Sequence, residues 1–375
     1  MKFTALSGVL DMVMTRWHVP FCAIAVRARH GLIHTDARQT ERLSSVPENS
    51  LFWIYSLTKL FTSSLALQLW EEGAFRLDDP VSEYLPECRD LVVKTHNGVV
   101  PARTPLRLKH LITMTGGISY DEKSSSILAL HGSGTTRDVA SAIVRMPLAF
   151  NPGEHFLYGY GLDVLAAVLE IVTGESFGVL LRERILDPLG IKDAGFFPDS
   201  GAIKRFAPQY TYDFRTKKFF PVGQACIARL TDRHESGGGG LYASLDSVSL
   251  LCDALACGGE GGSGARILRE NTVALMRSNA LNDVQMTDFS AIGTVPPGYG
   301  YGFGVRTLTD KTASPGPVGE FGWSGAAGSW ALMDPVCGVS LVYFQHALNF
   351  LPAFNTIHNA LRDALYADLA GKQVL

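Results

Sequence analysis

The sequence lacks an excess of charge of either sign: 33 Lys and Arg face 36 Asp and Glu over 375 residues, a formal net charge of −3 at pH 7. That balance argues against a nucleic-acid partner, which calls for a basic surplus. No stretch approaches 18 apolar residues without a charge, which argues against a membrane-spanning helix and a membrane partner. The 46% hydrophobic and 18% charged content is that of a folded chain and excludes a disordered one. Cysteine is scarce. Cys22, Cys88, Cys226, Cys252, Cys257 and Cys337 are scattered, with no C-x-x-C pair and no H-E-x-x-H, so no metal is expected. A chain long enough to bury a large core has no need of disulfides, so reduced and mostly buried thiols are expected. The opening Met1–Asp11 (MKFTALSGVLD) is too short and too polar for a secretory signal, and a cytoplasmic location follows as the expectation.

Helical spacing runs from Leu6 to Trp17, and the apolar run Val19–Arg27 reads as a buried strand. Gly31–Ile33 continues as a second strand or its turn. A polar stretch follows from Thr35 to Ser50, ending in Pro47-Glu48-Asn49, which is turn chemistry. Ser56 opens a strong amphipathic helix stopped by Gly73. Residues 74–225 read mostly as helices and loops, including a helix capped by Asp78-Asp79-Pro80 and another over Leu162–Thr173. Beyond 225 the texture changes. A glycine run spans Ser236–Gly240, and Ser244 caps a helix. From Tyr299 the alternating YGYGFGV reads as a strand, and Phe321–Leu332 and Val339–His346 read as two more joined at Asp334-Pro335. A last helix covers Pro352–Leu369. The expected fold is α/β: one mixed sheet built from both chain ends (1–73 and 226–375), with an inserted mainly helical subdomain (74–225).

Three stretches carry candidate chemistry. In Ser56-Leu57-Thr58-Lys59 one helical turn places the lysine on the serine's face. A helix N-terminus offers backbone N–H groups to a developing oxyanion. A serine hydroxyl needs a neighbour to take its proton, which a buried lysine can do. The second stretch, Asn151–Tyr160, is a Pro-Gly turn and aromatic loop that presents Tyr158 just before a helix, with Tyr160 as its competitor. In the third, Phe321–Gly328, small residues along a strand let a ligand approach the backbone or let a helix pack closely.

In this order, with the lead-in NSLFWIYSLTK and the phrases LKHLITMTGGISY, LDPLGIKDAGF, SGGGGLYASLDS and EFGWSGAAGSW, the chain resembles the penicillin-recognising serine hydrolases. This superfamily holds class C β-lactamases, DD-peptidases and family VIII carboxylesterases. The resemblance spans nearly the whole chain. It implies a β-lactamase/DD-peptidase-like fold, an antiparallel sheet flanked by helices, with Ser56 at the base of a cleft. It makes Ser56 the acyl-forming nucleophile, Lys59 its proton acceptor, and Tyr158 a general base and proton donor coupled to Lys59. The oxyanion hole falls to the backbone N–H groups of Ser56 and Ala326. Substrate contacts fall to Tyr160, Trp323, Ser324 and Gly325, and the loop carrying Tyr120 is placed near the cleft.

Two departures matter. The family's amide-recognising asparagine falls at Tyr160, and the lysine of its Lys-Thr-Gly element falls at Trp323, so groups that recognise an acylamino-acid carboxylate are missing. Aromatic surface replaces them. Family VIII esterases usually carry Trp-Gly-Gly here; Ser324 in the middle keeps some β-lactamase character. The expected function is hydrolysis of a small carboxylic ester through an acyl-serine intermediate without a cofactor. The alternatives are amide hydrolysis (β-lactams, D-amino acid amides, D-peptides), acyl transfer, and ligand binding without catalysis. A competing motif, Gly322-Trp323-Ser324-Gly325-Ala326, looks like a G-x-S-x-G elbow, with Asp334, His346, His358 and Asp363 following. That elbow needs a strand–Ser–helix turn, and the segment after Ser324 reads as strand. The glycine run lacks a phosphate-loop pattern and reads as a structural turn.

Overall fold

A computed structural model describes residues 2–40, 46 and 49–370; of the turn expected at Pro47-Glu48-Asn49, the first two residues lie outside these. The chain opens with helix α1 (Thr4–Trp17), strand β1 (Phe21–Ala28) and strand β2 (Gly31–Gln39). Helix α2 (Thr58–Glu71) follows, then α3 (Gly161–Thr173) and α4 (Leu245–Ala256). Strands β3 (Tyr299–Tyr301), β4 (Arg306–Leu308), β5 (Phe321–Ser324), β6 (Trp330–Asp334) and β7 (Val339–Phe344) complete the sheet, and helix α5 (His358–Leu369) closes the chain. The sheet order is β3-β4-β5-β6-β7-β1-β2, antiparallel at every pairing, so both chain ends meet where β7 pairs with β1.

Alternation along the strands divides the core into two layers. Leu332 and Leu341 face α1 and α5, meeting Leu6, Leu10, Leu361 and Leu365. Ala331, Met333 and Val342 face the other way, into a larger core that holds α2, α3 and α4. Strand β1 is buried on both faces, whereas β2 alternates toward solvent as an edge strand. That exposure explains why β2 runs through Thr35, Asp36 and Arg38, residues whose polarity reads as loop in the sequence.

Other differences have equally local causes. Helix α2 is not amphipathic: 11 of its 14 residues are buried, because it lies inside the larger core. The helix expected after Asp79-Pro80 is only a single turn, Val81–Glu83. Asp79 accepts from Arg76 N–H instead of capping it. The alternating YGYGFGV is a hairpin rather than one strand: the chain turns at Gly302–Gly304, and Gly304 takes φ +84°. Phe321–Leu332 is likewise two strands, broken by the turn that Gly325 N–H closes on Ser329 O at 2.8 Å. The stretch 74–225 also contains two hairpins, Val92–Thr95 with Gly98–Pro101 and Gln209–Asp213 with Lys218–Val222. All six cysteines are free thiols, four buried and two half-buried. Among the described residues no single helix is long and apolar enough to cross a membrane.

One buried acid lies beside β5. Glu320 is fully buried, and it accepts from the Tyr299 hydroxyl at 3.2 Å and the Ser314 hydroxyl at 3.4 Å. Burial pushes its carboxyl up from 4.5 to about 7, against the opposing charges of Arg306 and Arg362. Below 4.5 both folded and unfolded chains hold the proton. As pH rises from there, the unfolded chain ionises first, and the stabilisation is lost through the folded value near 7. Glu320→Gln does not titrate, so its stability relative to the parent should rise between pH 4.5 and pH 8, by at most about 3 kcal/mol. Urea unfolding of both proteins across that range checks this; a difference independent of pH contradicts it.

Candidate active site

The lead-in strand Phe52–Trp53 pairs with Tyr242–Ala243, and Ile54 N–H reaches Leu241 O at 3.1 Å. Tyr55 then adopts φ +47°, a left-handed conformation that costs a residue with a Cβ about 1 kcal/mol. Its buried hydroxyl donates to Gln209 Oε1 at 2.6 Å, which pins the turn. The turn delivers Ser56 to the N-terminal end of α2.

Lys59 lies one turn on and is fully buried. Its Nζ donates to Ser56 Oγ at 3.3 Å, to Tyr120 OH at 3.2 Å and to the Gly238 carbonyl at 2.6 Å. Three donors meeting three oxygens is the complement of an ammonium. Nζ also lies 4.6 Å from the centre of the Tyr158 ring. The expected convergence of hydroxyl, amine and phenol is therefore present, with one difference. The phenol hydrogen-bonded to Lys59 is that of Tyr120, while the Tyr158 oxygen accepts from Trp323 Nε1 at 2.9 Å. Tyr120 leaves 45% of its surface exposed, yet its hydroxyl end is drawn in among Lys59, Tyr158 and Tyr160. That burial, reinforced by the neighbouring Tyr158, holds the Tyr120 phenol well above its ordinary value.

The glycine run is structural, as expected, and it also belongs to the site. Gly238 supplies a carbonyl to Lys59, and Gly237 supplies one to the Thr62 hydroxyl at 2.7 Å. Behind it stands Asp163 of α3, only 2% exposed, which accepts from the Ser236 hydroxyl at 2.6 Å and from Gly238 N–H at 3.3 Å. A Cβ at Gly238 would lie 2.4 Å from Asp163 Oδ2, so only glycine fits there. His234 Nε2 lies 3.3 Å from Asp163 Oδ1. Leu230 N–H donates to His234 Nδ1, so a neutral imidazole carries its hydrogen on Nε2, which is close to the carboxylate but not aligned for a hydrogen bond. Burial pushes Asp163 up, but His234, Ser236 and the charge of Lys59 outweigh it and hold the carboxyl below its ordinary 3.8. None of this support was read from the sequence.

Strand β5 approaches from the opposite wall. A Cβ on Gly325 would lie 2.3 Å from Ile54 O, so this glycine brings the strand end against the backbone that precedes Ser56. Gly322 makes room for the Ala331 carbonyl of β6; backbone, rather than a helix, fills both spaces. Among the described residues neither Ser56 N–H nor Ala326 N–H has a protein acceptor. A cleft of about 200 Å³ is lined by Ser56, Tyr158 and the run Trp323–Ala326, with Ile292, Val295 and Phe354 adding apolar surface. Tyr160 does not line it: only 4% exposed, it packs edge-on against Tyr120 with ring centres 4.5 Å apart.

The elbow around Ser324 fails on structure. A turn and then β6 follow it, not a helix. His346 and His358 face backbone carbonyls, of Ala207 and Gly328, and Asp334 accepts from Val336 and Cys337 N–H. Asp363 is paired with Arg362.

A family model described as Beta-lactamase matches residues 11–365. Esterase EstB of Burkholderia gladioli is 30% identical over 380 residues, covering 92% of this chain and 90% of its own. Protein Rv1367c of Mycobacterium tuberculosis is 30% identical over 316 residues, covering 80% and 78%. The solved structure titled EstCE1, a hydrolase with promiscuous acyltransferase activity, shares the fold at a TM-score of 0.81 and 24% identity, covering 97% of this chain and 98% of its own.

The Asp163 support predicts a measurable cost. Asp163→Asn removes the buried negative charge nearest the Lys59 seat and should destabilise the protein at neutral pH by about 3 kcal/mol. Because the carboxyl is held below 3.8, that advantage is present above 3.8 and is lost as pH falls further. Urea titrations should show the gap between parent and variant closing at acid pH.

Proposed function

The chain belongs to the Beta-lactamase family, and from that membership and the geometry of its cleft we propose that it hydrolyses carboxylic esters through an acyl-Ser56 intermediate. The observation that carries the reading is the fully buried Lys59 with its Nζ 3.3 Å from Ser56 Oγ, beneath a cleft that Ser56 and Tyr158 both line. Ser56 Oγ attacks the ester carbonyl carbon as its hydroxyl proton passes to Lys59, once the amine has released the proton it otherwise donates to Ser56 Oγ. The carbonyl oxygen becomes an oxyanion between the free N–H groups of Ser56 and Ala326, the kind of donor whose loss costs about 10²–10³ in rate. Tyr158 accepts from Trp323, so its own proton is available for the departing alkoxide. One proton enters the Lys59–Tyr158 pair from Ser56 and one leaves with the alcohol, so the pair returns to its starting charge. On the acyl-enzyme, water attacks the carbonyl carbon and gives its proton to the Tyr158 phenolate, while the Lys59 ammonium returns a proton to Ser56 Oγ as the acid departs. An alcohol that outcompetes water in this second half would receive the acyl group instead.

Two features favour esters over amides. Trp323 and Tyr160 stand where the family's carboxylate- and amide-recognising side chains belong, and Tyr160 is turned away from the cleft. EstB, similar over nine-tenths of the chain, is named an esterase.

Purified protein should cleave short p-nitrophenyl esters faster than a chromogenic cephalosporin, and a fluorophosphonate should label the peptide containing Ser56. Ser56→Ala should lose that label and at least about 10³-fold in kcat/KM. Label found at Ser324, or esterase activity that survives in Ser56→Ala, contradicts the assignment. Trp323→Phe removes the donor to Tyr158 and should lower kcat about five- to tenfold while labelling of Ser56 persists; an unchanged kcat would show that this hydrogen bond does not serve turnover.

A further inference from the structure

The cleft wall opposite Lys59 contains a cation that the proposed reaction does not use. Arg306 of β4 lines the same cleft as Ser56 and is only 7% exposed. It is the one charged side chain among the described residues lining that cleft. Its guanidinium lies over two rings, with Cζ 5.3 Å from the centre of Tyr299 and 5.4 Å from that of Trp330. Among the described residues it makes no hydrogen bond or ion pair with protein, and Nε is buried without a partner. The Arg306 charge acts on the buried Glu320 carboxyl, but among the described residues no nearby group bonds to the guanidinium. Glu320 accepts from Tyr299 and Ser314, and Arg362 pairs with Asp363. His358, also in the wall, is pushed down to about 3 by burial and adds no charge at neutral pH.

A buried guanidinium without an acceptor is costly, and stacking on rings returns only part of that cost. The same ring contacts hold a flat fork of N–H donors, the geometry that takes a carboxylate through two parallel hydrogen bonds. We propose that Arg306 forms an anion subsite of the catalytic cleft, selecting esters that carry a free carboxylate remote from the scissile bond. As a statement about substrates it rests on the ester-hydrolysis reading; as a statement about binding it does not. The family's lysine in the Lys-Thr-Gly element is lost at Trp323, and a cation on a different strand of the same sheet restores carboxylate recognition at a new place.

The test has two arms. Isothermal titration measures adipate binding, and fluorescence follows hydrolysis of 4-methylumbelliferyl hydrogen adipate against its uncharged methyl ester. The parent should bind adipate and prefer the acid ester. Arg306→Gln should weaken adipate binding and lower the acid-to-neutral ratio of kcat/KM, each by about tenfold or more. Arg306→Lys keeps the charge without the stacked fork and should fall between them; it also serves if the glutamine variant does not fold. Adipate binding that is absent in the parent, or equal in parent and variants, overturns the subsite. So does an acid-to-neutral ratio that no substitution changes, even while both esters turn over. Arg306-dependent binding with both esters inert upholds the subsite and removes the esterase reading instead.

Discussion

The site depends on one fully buried amine held by three oxygens. Lys59 can be kept at Ser56 only because its position is fixed on every side. Helix α2 is buried around nearly its whole circumference, so it can neither roll nor slide without opening the larger core. The third oxygen, Gly238 O, comes from a loop more than 170 residues away in sequence, and that loop is itself held by Asp163. The carboxylate thus does two jobs. It accepts the hydrogen bonds that shape the glycine turn, and it places a negative charge behind the turn whose carbonyl meets the ammonium. Taking a lysine out of water is expensive unless such a charge and such acceptors are supplied together. Here they come from the same few residues.

The opposite wall is set by close approach of backbone. Gly325 lets the end of β5 pass against Ile54, the residue two before Ser56. Ser329 Oγ reaches the same Ile54 carbonyl at 3.4 Å. The N-terminal strand that leads into Ser56 and the C-terminal strands of the sheet are therefore fastened to each other beside Ser56. Trp323, one strand position before Ser324, turns to the other face, where its Nε1 holds Tyr158. A single short strand in this way positions both a candidate oxyanion donor and the phenol.

What could be read from the sequence follows from the distance over which each signal acts. Ser56 and Lys59 are legible because their relation is one helical turn. Tyr158 and the Trp323–Ala326 stretch are legible because a family pattern carries them across long separations. The sheet built from both chain ends is legible in the strand patterns of the two termini, which suggest a mixed sheet, whereas its antiparallel order is legible only through the family pattern. Gly238 was not, since its contribution is a carbonyl, which every residue has. The Asp163–His234 pair was not, because a buried pair 71 positions apart leaves no periodic trace. Tyr120 lay in a loop placed near the cleft, but its bond to Lys59 depends on side-chain packing. The errors in secondary structure arose where periodicity misleads: an alternating run that folds back at Gly304, a polar edge strand, and a helix whose polar residues are buried.

The two cations of this region differ in what surrounds them, and that contrast separates their chemistry. Lys59 has every donor satisfied by protein and is withdrawn beneath the cleft floor, where an ammonium can exchange a proton with a neighbouring hydroxyl. Guanidinium groups stay protonated in proteins, and among the described residues no protein acceptor meets the donors of Arg306. The first arrangement suits proton transfer, which needs a group able to change charge. The second suits recognition, which needs a charge that persists. Where the resemblance places the family's lysine, this chain has Trp323, whose indole donates to Tyr158. On this chain, holding the phenol and holding an anion are therefore assigned to different strands, β5 and β4, instead of converging at one position.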